Sequence, residues 1–581
     1  MTSPCVKQVS QACFHGCCPA PLLSLIDSST ETSSKSQAAA AAAAGSYHLD
    51  FVIATASSLY PHIHFTNHES LPSLPESSSN FTRAYPLYIH THQADQIRAK
   101  HYYHLSVSGH VCLDYIGHGL FSYSQLQYHS PSLSFPASSS TPQHSHMDFD
   151  ISYKSLNFNS HIIHTQESEI GSKIKKRIME FMNISDEDYT MVFTANQQSA
   201  FKIVADSYPF HSNANLLTVY DHKNEAVGLM IESSKRRGAR VMSAEFSWPN
   251  LQIQSEKLRK KILSNKKKRK KGMFVFPLQS RMSGNRYPYL WMSVARENGW
   301  HVLLDACALG AKDMDTLGLS LFKPDFLICS FFRVFGENPS GFGCLFVKKS
   351  SASILTNTIT AGIVQLIPLP VSNTLVLPGS FSDPLEEKND KGKQKAASIS
   401  EIMECSEPKR VECEGLDDAD NLGLIVISSR ARCLINWLVN ALISLKHPNS
   451  ETHLPVVKIY GPKIKFDRGP ALAFNVFDWK GEKIDPPLVQ KLADRNNISV
   501  DYGFLEHIYL ADKNNDEEEE EEEKEKEERS GICVVNVVLG FLTNFEDVYR
   551  LWAFLSRFLD ADFVEKERWR YKAINQKTVE I

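Results

Sequence analysis

Short, mostly apolar segments alternate with helical patterns through the middle of the chain. Two such segments are Tyr189–Thr194 (YTMVFT) and His301–Asp305 (HVLLD), and the apolar spacing of Gln197–Ser207 predicts a helix between strands. Strands without a polar face must be covered on both sides, as parallel strands linked by helices are. The alternation therefore predicts an α/β fold with a large, mostly parallel sheet.

The pattern changes after residue 423, where fewer strands mix with helices, and this predicts a smaller α+β domain over residues 423–575. We expect the large domain at residues 49–375 and a polar linker at 376–422. Biased stretches predict inserted loops near residues 123–150 and 257–272 and an acidic insertion at 512–529.

Residues 1–48 are rich in Ser, Ala and Cys and contain only two acids, which predicts a disordered leader, with a plastid transit peptide as the alternative. The amino terminus lacks a basic start followed by a long apolar run, so we expect a cytoplasmic protein with reduced cysteines. The basic run at residues 266–271 keeps a nuclear location open.

Composition excludes several classes of partner. The chain has 62 Lys and Arg against 66 Asp and Glu, so its net charge of −4 gives no case for binding nucleic acid or an anionic membrane. No apolar run approaches the ~20 residues that a membrane-spanning helix needs. The clustered cysteines near the start fit no standard zinc spacing, so no metal site is expected.

Candidate chemistry lies where strands end, because ligands of open α/β sheets bind beyond the carboxyl ends of the strands. Asp305 ends one strand, and its carboxylate could pair with a ring nitrogen or a metal. Residues 194–200 (TANQQSA) join a strand to a helix, and a helix start can hold a phosphate. Simple helix capping is the alternative for both positions.

Several motifs follow one another in an order that carries a resemblance. They are residues 113–120 (LDYIGHGL), 193–200 (FTANQQSA), 221–223 (DHK), 276–288 (FPLQSRMSGNRYP), Asp305, and 330–343 (SFFRVFGENPSGFG). In this order the chain resembles the amino-terminal part of eukaryotic molybdenum cofactor sulfurases. These belong, with cysteine desulfurases, to the class V aminotransferase group and use pyridoxal 5′-phosphate (PLP). The resemblance implies a PLP-dependent transferase (aspartate aminotransferase-like) fold and a homodimer.

The resemblance also implies roles for individual residues. Asp305 would pair with the pyridine nitrogen of PLP, and His222 would stack on its ring. The remaining cofactor-binding positions would be Thr194, Gln197, Ser199 and Ser330.

Three positions depart from the pattern of the sulfurases. Arg333 stands where they have the lysine that forms a Schiff base with PLP, and a guanidinium, with a pKa above ~12, cannot form it. Residues 497–505 have no cysteine to accept sulfur, and Asn536 replaces an arginine that binds the substrate carboxylate. The carboxyl-terminal domain of the sulfurases is also expected to be absent. A substitute lysine, Lys312 or Lys323, is an alternative.

These departures predict no catalytic residue and, at best, non-covalent binding of PLP. The expected function is that of a pseudoenzyme that binds or scaffolds a still unknown protein partner. Two alternatives stay open. One is a PLP-dependent sulfurtransferase or cysteine desulfurase-type enzyme that uses other residues, and the other is a PLP-binding sensor.

Overall fold

The computed structural model describes residues 64–114, 149–158, 162, 168–263, 272–308, 322–331, 342–356, 358–368, 414–448, 454–462, 468–509 and 531–577. All of them belong to one of the two units into which the chain divides, Leu59–Ile581. The predicted leader, Arg333, Lys312 and the acidic insertion lie outside the described residues.

The largest sheet has nine described strands, numbered β1 to β9 in chain order: Phe149–Asn157, Tyr189–Thr194, Asn215–Thr218, Arg240–Ser243, Gly272–Pro277, His301–Asp305, Phe326–Phe331, Phe342–Lys348 and Ile359–Pro368. Their order across the sheet is β1-β9-β2-β8-β7-β6-β5-β3-β4. The neighbouring strands β7, β6, β5, β3 and β4 are all parallel to one another. Strand β8 is antiparallel to both β7 and β2, so β2 points the same way as β7. The predicted α/β class with a mostly parallel sheet is confirmed.

The described α-helices, α1 to α12 in chain order, span Leu74–Ala84, His92–His101, Tyr103–Val107, Glu169–Phe181, Gln197–Ser207, Glu225–Arg236, Ser255–Leu263, Leu290–Glu297, Glu414–Ile443, Pro486–Arg495, Phe545–Ser556 and Ala561–Lys577. Helices α4, α7 and α8 pack on one face of the large sheet, and α5 and α6 pack on the other. This two-sided cover explains why the central strands are apolar on both faces.

A smaller antiparallel sheet contains four described strands, numbered β10 to β13: Val457–Tyr460, Ala471–Val476, Asp501–Leu505 and Ile532–Val538. Its order is β10-β11-β13-β12, with α10 packed against it. The other described strands have two residues each. Val111–Cys112 pairs with Ile498–Ser499, and Phe246–Ser247 pairs with Gln252–Ile253 and Ile508–Tyr509. The smaller α+β part predicted from the sequence is therefore present.

Two ion pairs, each with a buried arginine, attach the first helices to the carboxyl-terminal part of the chain. Arg98 of α2 donates to both carboxylate oxygens of Asp547 in α11. Arg430 of α9 is 1% exposed and donates to Asp95 of α2. Among the described helices, α9 alone contains a stretch long and apolar enough to cross a membrane, but 56% of that stretch is buried inside the protein, as in a core helix.

Three predicted loops are shorter than expected. The insertion at residues 123–150 ends in a strand, because β1 begins at Phe149. The insertion at 257–272 begins with helix α7, where Lys257 and Lys261 both donate to Glu245 at 2.6 and 2.7 Å. The last residues of the linker at 376–422 are helical, since α9 begins at Glu414.

Candidate functional site

The candidate residues gather at one edge of the large sheet. Strands β2, β3, β5, β6 and β7 all end there because they point the same way. Thr194 ends β2, Asp305 ends β6 and Ser330 lies near the end of β7, while His222 follows β3 by four residues. The start of α5 follows β2 at the same edge.

Asp305 is held by three donors inside the protein. It is 4% exposed, and its Oδ2 accepts from the Tyr220 hydroxyl at 2.8 Å and from Gln197 Nε2 at 3.4 Å. Its Oδ1 accepts from the backbone N–H of Cys307 at 3.0 Å. Burial raises the pKa of the Asp305 carboxyl, and these hydrogen bonds oppose that rise. The Asp305 carboxyl is thus a fixed, buried hydrogen-bond acceptor, and a cation nearby would stabilise its ionised form.

His222 is oriented by its neighbour Asp221. The two side chains meet at 2.8 Å between Nδ1 and Oδ1, and Asp221 also accepts from Ser280 Oγ at 2.7 Å and Ser283 Oγ at 2.6 Å. Burial alone would raise the pKa of Asp221, but the bonds from His222 and both hydroxyls lower it below its ordinary value. An ionised Asp221 accepts the hydrogen on Nδ1 and so fixes the orientation of the imidazole ring.

The Thr194 hydroxyl and the backbone N–H of Ser199 form hydrogen bonds at the start of α5. The Thr194 hydroxyl lies 3.0 Å from the carbonyl of Asn196 and 2.9 Å from that of Gly343, either of which can accept its hydrogen. The Asn196 side chain caps α5 by accepting from the backbone N–H of Ser199 at 2.8 Å. The capping alternative considered from the sequence is therefore observed at this turn.

Ser330 offers a buried hydroxyl to a ligand. It is 6% exposed, and its Oγ has no hydrogen-bond partner among the described residues. It lies opposite Gly343, where a Cβ would come within 2.4 Å of Thr194 Oγ1. Since buried polar atoms are nearly always paired, an orphan at the strand ends indicates a place where a ligand or water would bind.

Asn536 is a packing residue in this structure. It is 1% exposed in β13, and its Nδ2 donates to the carbonyl of Met282 at 2.9 Å. The carbonyls of Arg281 and Leu472 lie 3.4 Å from the same nitrogen. The amide therefore ties β13 to the loop that follows β5 and to the neighbouring strand β11.

The stretch without cysteine lies directly beside His222. Strand β12 covers most of it, and the Lys223 N–H donates to the Phe504 carbonyl at 2.8 Å. The Glu506 N–H donates in turn to the Asp221 carbonyl at 2.9 Å. Two backbone hydrogen bonds thus tie the edge of the small sheet to the segment that carries the candidate ring-facing histidine.

Lys323 is far from this edge. It precedes β7, whereas Ser330 lies near the end of that strand, and its ammonium pairs with Asp188 at 2.6 Å. A strand of six residues is ~20 Å long, so Lys323 cannot replace a lysine near Asp305. Lys312 and Arg333 lie outside the described residues.

Sequence reasoning missed Tyr220 and gave Asp221, Ser280 and Ser283 no role of their own. The adjacency of Asp221 and His222 was a usable signal, because a carboxylate commonly orients a neighbouring imidazole. Tyr220 gave no signal, since its contact with Asp305 depends on the order of the strands.

The chain is homologous to molybdenum cofactor sulfurases. That of Bos taurus is 27% identical over 374 residues, covering 60% of this chain and 39% of that protein. The Homo sapiens protein is 27% identical over 431 residues, covering 70% and 43%, and that of Solanum lycopersicum is 23% identical over 439 residues, covering 68% and 50%. The chain thus spans 39% to 50% of the length of these relatives. No protein-family model matches the chain.

Solved structures of cysteine desulfurases are also similar. CsdA from Escherichia coli has a TM-score of 0.49 and 15% identity, covering 80% of this chain and 98% of that one. The enzyme from Thermococcus onnurineus has a TM-score of 0.44 and 15% identity, covering 66% and 82%. At these TM-scores the likeness adds nothing to the assignment of the site.

The observed sheets and the sequence homology together define the class. The protein has an α/β fold with a large mixed sheet and a smaller α+β part, as predicted. Within that class its homologues are the molybdenum cofactor sulfurases.

Proposed function

We propose that the chain is a non-catalytic relative of the molybdenum cofactor sulfurases with a binding or scaffold role. The observation that carries the proposal is Arg333, a permanently protonated side chain at the position of the Schiff-base lysine. The packing of Asn536 supports it, because an amide bound to backbone carbonyls is not available to a substrate carboxylate. The absence of cysteine from residues 497–505 supports it further.

We further propose that part of a PLP site is retained. Asp305 would face the ring nitrogen, where a protonated pyridine would supply the cation that its buried carboxylate lacks. Ser330 and the backbone N–H groups at the start of α5 would hold the phosphate, and His222 would cover the ring. When bound, PLP supplies an electron-withdrawing ring. We propose that this chain only binds and orients it.

The orphan hydroxyl of Ser330 favours a second candidate, a PLP-binding sensor. A pure scaffold has no need of a buried hydroxyl that lacks a partner among the described residues, because a buried hydroxyl left unpaired costs ~1–3 kcal/mol of stability. A protein that holds the cofactor without a covalent link would have a use for it.

Two measurements on purified protein test the proposal. Equilibrium dialysis and the absorption spectrum report whether PLP binds and whether the link to the protein is covalent. Sulfide release from L-cysteine reports catalysis, and we expect none above the buffer blank. Non-covalent binding that is weakened by Ser330→Ala would select the sensor, and no binding would select the scaffold. Sulfide release that is lost in Asp305→Ala would refute the pseudoenzyme and establish the enzyme alternative.

A homodimer and a cytoplasmic location remain predictions. Light scattering of the purified chain and imaging of a tagged chain would test them.

A further inference from the structure

A cleft of about 500 Å³ lies at the edge of the large sheet opposite the candidate cofactor site. It is lined by the carboxyl end of α4, the turn that leads into β2 and the start of β7. Tyr189 and Pro324 join its two sides, because the Tyr189 hydroxyl donates to the Pro324 carbonyl at 2.7 Å. Since β2 is six residues long, about 20 Å of strand separates the cleft from Thr194.

The cleft has an apolar floor. Met179, Ile184 and Leu327 line it and are 7%, 8% and 1% exposed. A volume of this size is within the range of pockets that accept a small molecule or a few side chains.

The rim of the cleft is acidic. Glu180 and Asp188 line it, and the exposed Asp186 and Glu187 belong to the same turn as Asp188. Asp188 is paired with Lys323 at 2.6 Å, whereas Glu180, Asp186 and Glu187 have no ion-pair partner among the described residues.

The backbone adds to this negative potential. Helix α4 ends at Phe181, so its carboxyl end lies at the cleft, where the carbonyls of Met179 and Glu180 accept from the backbone N–H groups of Ile184 and Asn183. The carboxyl end of a helix carries partial negative charge and attracts cations. The carboxylates of the rim and the carboxyl end of α4 therefore both attract cations to the cleft.

We propose that this cleft, which we call the α4–β7 cleft, is a docking site for a basic, partly apolar segment of a protein partner. Aliphatic side chains of the segment would cover the floor, and its Lys or Arg side chains would meet the carboxylates of the rim. Charge complementarity selects this occupant, because an acidic peptide or a nucleic acid would be repelled by the same rim. The site is separate from the cofactor site, so the inference does not depend on whether PLP binds.

The test uses the full chain and a short fluorescent peptide of lysine and leucine, with a glutamate and leucine peptide as the matched control. Fluorescence polarisation gives the affinity, and hydrogen exchange shows where the peptide binds. This second readout separates the cleft from the acidic run at residues 517–528, which also attracts lysine. The cleft variant carries Glu180→Gln and Glu187→Gln. The control variant carries the same change at two exposed positions elsewhere, Glu76→Gln and Glu256→Gln.

We expect the lysine peptide to protect residues 179–189 and 322–327 from exchange. We also expect binding to weaken roughly tenfold in the cleft variant and to stay unchanged in the control variant. Protection elsewhere, or equal affinity in both variants, would overturn the proposal. A further variant replaces the Lys and Arg residues of the run at 266–271 by serine. If it binds the peptide roughly tenfold more tightly than the natural chain, the cleft is occupied by this chain's own basic run and the proposal of an external partner fails.

Discussion

The side-chain amide of Asn536 is buried and hydrogen-bonds to backbone carbonyls. It lies inside β13, is 1% exposed and donates to the carbonyl of Met282, with Leu472 of the neighbouring strand also near. A longer side chain here would have to displace these backbone groups, and the acid directly opposite in β12, Asp501, already lies 3.5 Å from Arg281. The amide is thus held by backbone carbonyls of the loop after β5 and of the neighbouring strand β11.

We expect Asn536→Arg to lower the free energy of unfolding by ~3–5 kcal/mol, because it forces a longer, charged side chain into a buried position and displaces three carbonyl contacts. Denaturant unfolding measures this change. The same substitution at the exposed Asn250 is the control and should cost less than ~0.5 kcal/mol. A stable Asn536→Arg protein that also binds L-cysteine would show that the carboxylate site is open.

At position 333 we expect a lysine to restore the ability to form a covalent link with PLP. Arg333→Lys supplies an amine of similar reach, so with PLP it should form a covalent link that borohydride makes permanent, whereas the natural chain should form none. Mass spectrometry after digestion locates the pyridoxyl group. The control is the double variant with Asp305→Ala, in which labelling should fall. A label on another lysine of the natural chain would contradict the loss of this chemistry.

At the scale of single elements, β8 depends on a close approach to the turn after β2. A Cβ on Gly343 would lie 2.4 Å from Thr194 Oγ1 and 2.5 Å from the Asn196 carbonyl. The strand and the turn therefore touch through their backbones beside the orphan hydroxyl of Ser330.

Gly343→Ala should consequently lower the free energy of unfolding by ~1–3 kcal/mol, since backbone must move to admit the methyl group. Gly228→Ala is the matched control, because Gly228 lies inside α6 with nothing within 4 Å of the added Cβ. That change should stabilise the protein by ~0.5–1 kcal/mol. Thermal unfolding of both variants measures these changes. Equal melting temperatures would show that the backbone at Gly343 does not approach Thr194 and Asn196 closely.

Elements with local signals were predictable from the sequence. Strands β2 and β6 and helix α5 match their predicted bounds, because continuous apolar runs and a capping asparagine mark them. Strand β9 was missed because a register shift between Thr360 and Ile363, with Gly362 at a φ of 94°, breaks its alternation.

The start of α9 was missed for a tertiary reason. Its acidic first turns were predicted as linker, yet Arg177 of α4 donates to Asp417 and Asp420 at 2.6 Å each. Of the site, the gathering of Asp305 and Gln197 at the strand ends followed from parallel topology. The contact between Tyr220 and Asp305 did not, since it depends on which strands lie between β3 and β6.

At the scale of the whole molecule, buried histidines should make stability depend on pH. Burial lowers the pKa of His447, which is 2% exposed, although the Phe477 carbonyl and Asp478 oppose the shift. The pKa of the half-buried His104 shifts in the same direction through its partial burial. The unfolded chain therefore takes up protons near pH ~6.5 that the folded chain does not, so stability is lost as pH falls below that value.

We expect His447→Gln to reduce this loss by up to ~1.4 kcal/mol per pH unit, because one proton fewer is taken up on unfolding. Urea unfolding between about pH 7.5 and 5.5 measures the slope. His211→Gln, at an exposed position, is the control. An unchanged slope in His447→Gln would mean that this histidine is protonated in the folded chain.

The packing of Asn536 has a consequence for how this sequence can change over generations. A lineage that regained the lysine at position 333 would still lack a grip on the substrate, and one that regained the arginine at 536 first would pass through a less stable protein. Each reversal is thus neutral or harmful until Met282 and its neighbours have moved to make room. If the chain is the non-catalytic relative proposed above, such epistasis favours the spread of further substitutions over a return to catalysis, so variation among close relatives should be free at 333 and restricted at 536.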